Sequence, residues 1–506
     1  MINSATPRAV IRPVIELIGG IDASDFPKLL TQAPQVFSHL FASLAVAGRA
    51  PGASGKNTAR WSILLAAAES QLRLDANGTL ERPAELLRAN ATDSADFLAT
   101  WAKWVAGHAK LATDFKTDLP FVGGWSFYLS YELAQYIEPS LQLPSFDPAR
   151  RVGFPVAVAQ YHAAALVFDH QKALTYLVHD GQHPAIVAAV TAALISATAA
   201  NESQSAPQQD ADHALIIDGL IADEAAHYQS GVRKILEYLR AGDIFQANLS
   251  RAWRFHAPQS DAGARIFRRL ARYNPAPFAA WYRLAQGQII SSSPERLVDY
   301  RVEPKAGVAA RWVSTRPIAG TRRRDANLEW DARLRCELQA HPKERAEHVM
   351  MIDLERNDLG RVCQPGSVQV DEFMVLESFA HVHHLVSNVC GQLQAERSVF
   401  DLLAAVFPGG TITGCPKVRC MEILAELEQT GRGPYTGSVG YLSLDGQMDS
   451  NILIRTVFLA ADGIGEFRTG AGIVVDSDPL RETIETEEKA RGLLLALTEP
   501  AKPESL

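Results

Sequence analysis

Strand-like and helix-like runs follow one another along this chain without a regular βαβ beat. Residues 60–65 (RWSILL) read as a strand and lead into an alanine-rich stretch. In residues 121–127 (FVGGWSF) a glycine pair precedes an aromatic run, as at a tight bend entering a strand. Residues 161–167 and 173–178 predict two strands around the turn Asp169, His170, Gln171, and residues 225–241 predict an amphipathic helix with Tyr228, Val232, Ile235, Leu236 and Leu239 on one face. Strands are then predicted at 244–250, at 288–299 running into SSPER, at 379–388, and around 439–444 and 451–459, with helices at 417–428 and 478–497. Strands mixed with helices in this irregular order predict an α+β fold rather than a doubly wound parallel sheet.

A length of 506 residues fills one very large domain or several ordinary ones. The polar segment 201–212 (NESQSAPQQDAD) reads as a linker, dividing the chain into an N-terminal region 1–200, a linker 201–224 and a C-terminal region 225–500. The net charge of −8 argues against nucleic acid or an anionic membrane as partner, yet leaves room for an anionic small substrate met by local cations. Five scattered cysteines (336, 363, 390, 415, 420) form no CxxC pair, which fits reduced thiols in a cytoplasmic protein. The start MINSATPRAVIRP lacks the apolar core of a signal peptide, and the alanine-rich run 185–200 is short for a membrane span of roughly 20 residues.

Residues 341–361 (HPKERAEHVMMIDLERNDLGR) enter an apolar run through a charged turn. Glu344 and Glu347, three apart, share a helical face, and paired carboxylates suit a hard cation such as Mg²⁺. Charged helix faces are common, so this stretch alone favours a solvated face. A second acidic helix, with Glu482, Glu485 and Glu488 three apart and Lys489 four after Glu485, changes the balance: Glu344, Glu347, Glu482 and Glu485 together make a four-carboxylate cage if the helices meet.

Other motifs are weaker. Residues 407–417 (FPGGTITGCPK) lack the Lys-Ser/Thr ending of a P-loop, so their glycines read as points of close backbone approach, with Thr411 and Thr413 offering hydroxyls. Gly470 and Gly472 form a lone GxG. His381 and His383 share one strand face and His384 the other, which excludes a three-histidine zinc site and leaves a single histidine facing a polar site.

Taken together, HPKERAEHVMMIDLERNDLGRV, HHLVSNV, FPGGTITGCPKVRCMEI and RETIETEEKARG occur in an order that resembles the chorismate-utilising family, which includes aminodeoxychorismate, anthranilate, isochorismate and salicylate synthases. The resemblance covers residues 225–495 strongly, and 1–200 more weakly through ARWSIL, FVGGWSFYLSYE and ALVFDHQ. It implies a two-lobed αββα sandwich of large, mostly antiparallel sheets with a cleft between the lobes. It also implies Glu347 and Glu485 as Mg²⁺ ligands with Glu344 and Glu482 holding its waters; Arg455, Tyr435, Lys489 and the backbone of Gly470, Ala471 and Gly472 at substrate carboxylates; and Glu295 as general acid at the C4 hydroxyl. His384, Thr411 and the 319–321 segment (Ala319, Gly320, Thr321) would lie beside the ring.

Relatives that add water carry a lysine where this chain has Gln246; an amide cannot serve as the base, so the resemblance implies an ammonia user. Many aminodeoxychorismate synthases carry a lysine at the position of Ala319, where anthranilate synthases, like this chain, have alanine. NPAPF (274–278), TITG and HHLVS resemble the aminodeoxychorismate branch, and GASGKNTA (52–59) lacks the Leu-Leu-Glu-Ser stretch of tryptophan-regulated anthranilate synthases. The implied function is component I of aminodeoxychorismate synthase, which makes 4-amino-4-deoxychorismate from chorismate and ammonia. None of the cysteines has a nucleophile context, so a separate glutamine amidotransferase subunit would supply the ammonia. The alternatives are anthranilate synthase component I and a non-catalytic chorismate-binding regulator of a glutaminase.

Overall fold

The computed structural model describes residues 10–45, 59–87, 96–112, 115–146, 154–203, 215–303, 310–379 and 382–498. The segment GASGKNTA, apart from Ala59, and His381 lie outside these. Among the described residues two large sheets dominate, one of 12 and one of 11 strands, and within both every strand pairing is antiparallel. The first runs from the edge strand Asp218–Ala222 through Gln246–His256, Ile464–Ile473, Thr456–Ala460, Gly287–Ser293 and Phe278–Leu284 to strands of the N-terminal third. The second runs from Ile318–Arg323 through Val382–Gln392, Ala310–Thr315, Arg296–Glu303, Met448–Asn451 and Ser438–Ser443 to Gly124–Leu129 and Ala157–His162. Each sheet therefore draws strands from both halves of the chain.

The sheets pack face to face: Tyr128 and Val439 of the second meet Ala280, Tyr282, Ile289 and Phe458 of the first in one buried cluster. Helices cover the outer faces. On the first sheet, Ala262–Tyr273 and Pro479–Thr498 bury Ile266, Phe267, Leu270, Leu493 and Leu497 against Trp281 and Phe467. On the second, Phe97–Gly107 and Val399–Val406 bury Trp101, Leu402 and Leu403 against Phe127 and Val298. This is the expected α+β, αββα layering. Among the described residues no helix is long and apolar enough to cross a membrane.

Two predicted strands prove to be pairs. The run 161–167 breaks at Ala163, between Ala157–His162 in the second sheet and Ala164–Asp169 in the first. The run 288–299 breaks at Pro294 and Glu295, between Gly287–Ser293 in the first sheet and Arg296–Glu303 in the second. Both sides of each break are buried, so no exposed turn residue marks the point where the chain changes sheet, and periodicity alone reads one strand. The linker reading also needs correction at its start: residues 201–203 finish the helix Pro184–Ser203, residues 204–214 lie outside the described set, and Asp218–Ala222 is a strand.

The predicted helix in 341–361 is the uninterrupted Pro342–Gly360. Its start follows from the sequence: Pro342 stands in the first turn, where its missing N–H costs nothing, and the His341 ring accepts from Glu344 N at 3.4 Å. The helix packs on Ile318–Arg323 and Val382–Gln392 at the edge of the second sheet. Pro479–Thr498 packs on Ile464–Ile473 of the first sheet and on the helix Ala225–Ala241. The two acidic helices thus belong to different sheets.

Candidate active site

The link that carries the chain between the sheets also places Glu295. Ser293 Oγ donates to Ile452 O (2.6 Å) and accepts from Glu295 N (3.2 Å), and Ile452 N donates to Glu295 O (3.1 Å), pinning two inter-sheet crossings together. The Glu295 side chain is buried, and burial pushes its carboxyl up to about 7. The Thr411 hydroxyl, the Ile318 N–H, Arg455 and Lys489 pull the other way. Among the described residues, Glu295 Oε1 and Thr411 Oγ1 nevertheless have no hydrogen-bond partner of full geometry. A carboxyl near neutrality with a spare oxygen can donate a proton at neutral pH.

Around it the sequence-predicted residues converge from both sheets. Arg455, in the crossing segment after Asn451, adopts φ +50°; burial lowers its pKa, and Glu295 opposes that. His384, on Val382–Gln392, holds Thr321 Oγ1 at 2.9 Å from Nδ1. Burial and then Arg455 push His384 down to about 3, so it is neutral at physiological pH. Ala319 is buried between Ile318, whose N–H faces Glu295, and Gly320. Gly320 has φ +71°, a conformation that favours glycine, and a Cβ there would lie 2.9 Å from Glu344 Oε2, which would have to move aside.

On the other wall, Gln246 opens the strand Gln246–His256, which pairs Asn248 with Gly472 and Ser250 with Gly470. A Cβ on Gly472 would overlap Gln246 Nε2, and one on Gly470 would lie 2.9 Å from the Tyr435 hydroxyl. Burial raises the pKa of Tyr435, keeping it a neutral donor. Past Phe467 the strand Ile464–Ile473 has a strand partner on one side only. There Lys489 Nζ donates to Gly470 O at 3.0 Å while pairing with Glu485 at 2.8 Å. Ala471 faces away: its side chain is packed among Val232, Ile235 and Leu424, so only its backbone can serve the cleft. A cavity of ≈ 490 Å³ lined by Trp61, Phe278, Arg296 and Tyr441 lies apart from all of these residues except the neighbour of Glu295.

The four acidic residues approach without closing into a cage. Burial raises Glu347, with Lys343 opposing and Glu344 and Glu485 adding to the rise, so charge is felt across the two helices. Burial likewise raises Glu482, whose Oε2 has no hydrogen-bond partner among the described residues. Glu485 is lowered: Lys489 and Lys343 outweigh its burial. Lys343 stands 3.6 Å from Glu347, and Arg322 holds Glu344 at 3.0 Å. Among the described residues, no three His, Cys, Asp or Glu side chains gather closely enough to hold an ion. Like charges repel, and basic side chains serve as their counterions here. The donor set, all carboxylate oxygens with one orphaned and two raised by burial and crowding, fits a hard divalent cation.

One group escaped the sequence reading. Glu355 is buried on the Pro342–Gly360 helix beside Thr315, Asp358 and Lys417. The signal was a charged residue at the spacing of the buried row His348, Ile352, Leu359.

Residues 60–495 match the family model described as chorismate binding enzyme. The chain belongs to the chorismate-binding enzyme family. Among its relatives, the aminodeoxychorismate synthase component 1 of Bacillus subtilis is 40% identical over 76% of this chain and 80% of that protein. The anthranilate synthase component I-like protein of Synechocystis is 42% identical over 76% and 75% respectively. In the crystal structure of anthranilate synthase component I from Streptococcus pneumoniae, 30% identical, the fold superposes with a TM-score of 0.69 over 88% of this chain and 94% of that one. This chorismate-binding enzyme is therefore similar to both aminating branches of the family.

Proposed function

We propose that the protein is the chorismate-aminating component of aminodeoxychorismate synthase, converting chorismate and ammonia to 4-amino-4-deoxychorismate for p-aminobenzoate and folate supply. It would work in the cytoplasm, with a separate glutamine amidotransferase subunit releasing the ammonia. The observation that carries its central part, amination rather than hydration of chorismate, is the buried Gln246 amide held against Gly472. At the position where water-adding relatives use a base, it is a neutral group that cannot activate water. Ammonia, itself a nucleophile, needs no such base.

Chorismate is a dianion, and its carboxylates cannot leave water without countercharge. Arg455, Lys489, the Tyr435 hydroxyl and the backbone of Gly470 and Gly472 would take the enolpyruvyl carboxylate. Mg²⁺ held by Glu347 and Glu485, with Glu344 and Glu482 on its waters, would neutralise the ring carboxylate. Glu295 donates its proton to the C4 hydroxyl, which leaves as water. The C4–N bond forms from the ammonia lone pair, and the surplus proton on nitrogen returns to Glu295. Neutral His384, fixed by Thr321, orients the ring beside Thr411 without adding charge.

A second reading, anthranilate synthase component I, is favoured by Ala319, which leaves the covalent route without its usual lysine. Incubation with chorismate, Mg²⁺ and ammonium tests both. Conversion to p-aminobenzoate only when a lyase is added supports the first, and anthranilate fluorescence without lyase supports the second.

A further inference from the structure

Glu355 lies on the same helix as Glu347, within the row that the helix buries against the second sheet. Its side chain is 5% exposed. From the strand Ala310–Thr315 the Thr315 hydroxyl faces it; from its own helix, Asp358; and from the helix Lys417–Glu428, Lys417. Lys417 is already committed to Asp358, Nζ to Oδ2 at 2.5 Å, so among the described residues Glu355 has no ion-pair partner to itself.

The short turn Gly410–Ile412 separates Glu355 from Glu295. A Cβ on Gly410 would stand 3.7 Å from Glu355 Oε1, while the next residue, Thr411, puts its hydroxyl beside Glu295. The two carboxyls therefore flank one turn, and the charge of Glu295 reaches Glu355. Burial and then Asp358 push Glu355 up to about 8, against Lys417 and Thr315. Glu295, facing Arg455 and Lys489 on its own side, stands at about 7. Three oxygens at the pair, Thr315 Oγ1 beside Glu355, Thr411 Oγ1 beside Glu295, and Glu295 Oε1 itself, belong to residues more than nine-tenths buried and make no hydrogen bond of full geometry among the described residues.

We propose that Glu355 is a positioning residue that shares protons with Glu295, so that the pair, rather than Glu295 alone, supplies and recovers the proton used at the leaving hydroxyl. This rests on the chorismate-amination reading. Two like charges in a dry site resist ionising together, so the last proton on the pair is held to higher pH than either carboxyl would hold it alone. In turnover one proton leaves with the C4 hydroxyl as water, and one returns from the nitrogen that joins C4. The pair ends as it began, and ammonia and chorismate are the only reactants.

The test is Glu355→Gln, which keeps shape and hydrogen bonding but cannot titrate. The alkaline limb of kcat for the ammonium reaction should move down by about one pH unit with KM for chorismate unchanged. Infrared difference titration of the substrate-free protein should show wild-type carboxyls deprotonating in two steps between about pH 6 and 9, and Glu355→Gln in one. If Glu355→Gln melts too low to assay, the same titration on Glu295→Gln should show Glu355 deprotonating below its wild-type value. An unmoved limb, a loss confined to melting temperature, or a Glu355 already ionised at pH 6 overturns the proposal. The infrared arm needs no turnover, so a wild type that aminates nothing would refute the functional reading and leave the pair separately testable.

Discussion

Gly472 and the Gln246 side chain, on neighbouring strands of the first sheet and diagonal to each other, occupy adjoining space, so close that a methyl group on Gly472 would overlap Gln246 Nε2. The backbone at Gly472 is ordinary strand; the missing Cβ serves the neighbour and not a turn. Gly472→Ala should therefore displace the amide rather than strain the fold. We expect a melting temperature within a few degrees of wild type and a fall in kcat/KM for chorismate of roughly 10- to 100-fold. Parallel thermal melts and ammonium-dependent kinetics check this.

Gly320 predicts the opposite balance. With φ +71° and Glu344 Oε2 and Leu338 Cδ1 within 2.9 Å of an added Cβ, Gly320→Ala pays twice, in backbone strain and in contact. A loss of about 2 kcal/mol or more, read from denaturant titration, is expected.

Glu295→Gln removes the proposed proton donor and should lower kcat by about 10²- to 10⁴-fold while chorismate still binds. The stability effect has a definite sign. A carboxyl raised from 4.5 to about 7 favours the fold fully below pH 4.5, and that contribution is lost as pH rises through 7. Wild type should weaken relative to Glu295→Gln by about 1.4 kcal/mol per pH unit between those values. Urea titrations of both proteins at pH 5 and 7 measure it; curves that stay parallel would contradict a buried, neutral Glu295.

If the acidic helices hold a cation, as proposed, their crowding makes its binding proton-linked. Because burial raises Glu347 and Glu482, a divalent ion bound there competes with protons for these carboxylates, and binding should weaken as pH falls toward the carboxylate range. Calorimetry of Mg²⁺ binding in that range, in buffers of different ionisation enthalpy, should show proton release, and Glu347→Ala and Glu485→Ala should each abolish the heat. Mg²⁺ should also raise the wild-type melting temperature by mass action and leave both variants unmoved.

Much of this arrangement was legible in the sequence. Helical spacing placed Glu344 with Glu347 and Glu482 with Glu485, while Gly470 and Gly472, a weak lone GxG by itself, were legible only through the family resemblance. The points of failure share a cause: periodicity reports which face is buried, not which sheet buries it. Hence Ala163 and Pro294 were read through as strand interior. Ala471 was grouped with its glycine neighbours although strand alternation turns its side chain toward Val232 and Ile235. The Arg322–Glu344 pair joins elements 22 residues apart, and local spacing does not register such partners. Glu355 hid because a glutamate in a charged stretch reads as solvated until the helix is packed.

The most direct measurement is product identification by chromatography and mass spectrometry after incubating the purified protein with chorismate, Mg²⁺ and ammonium. The account predicts 4-amino-4-deoxychorismate retaining its enolpyruvyl group, formed by wild type and lost in Glu295→Gln. Anthranilate or isochorismate as the product, or an aminated product formed equally well by Glu295→Gln, would contradict it.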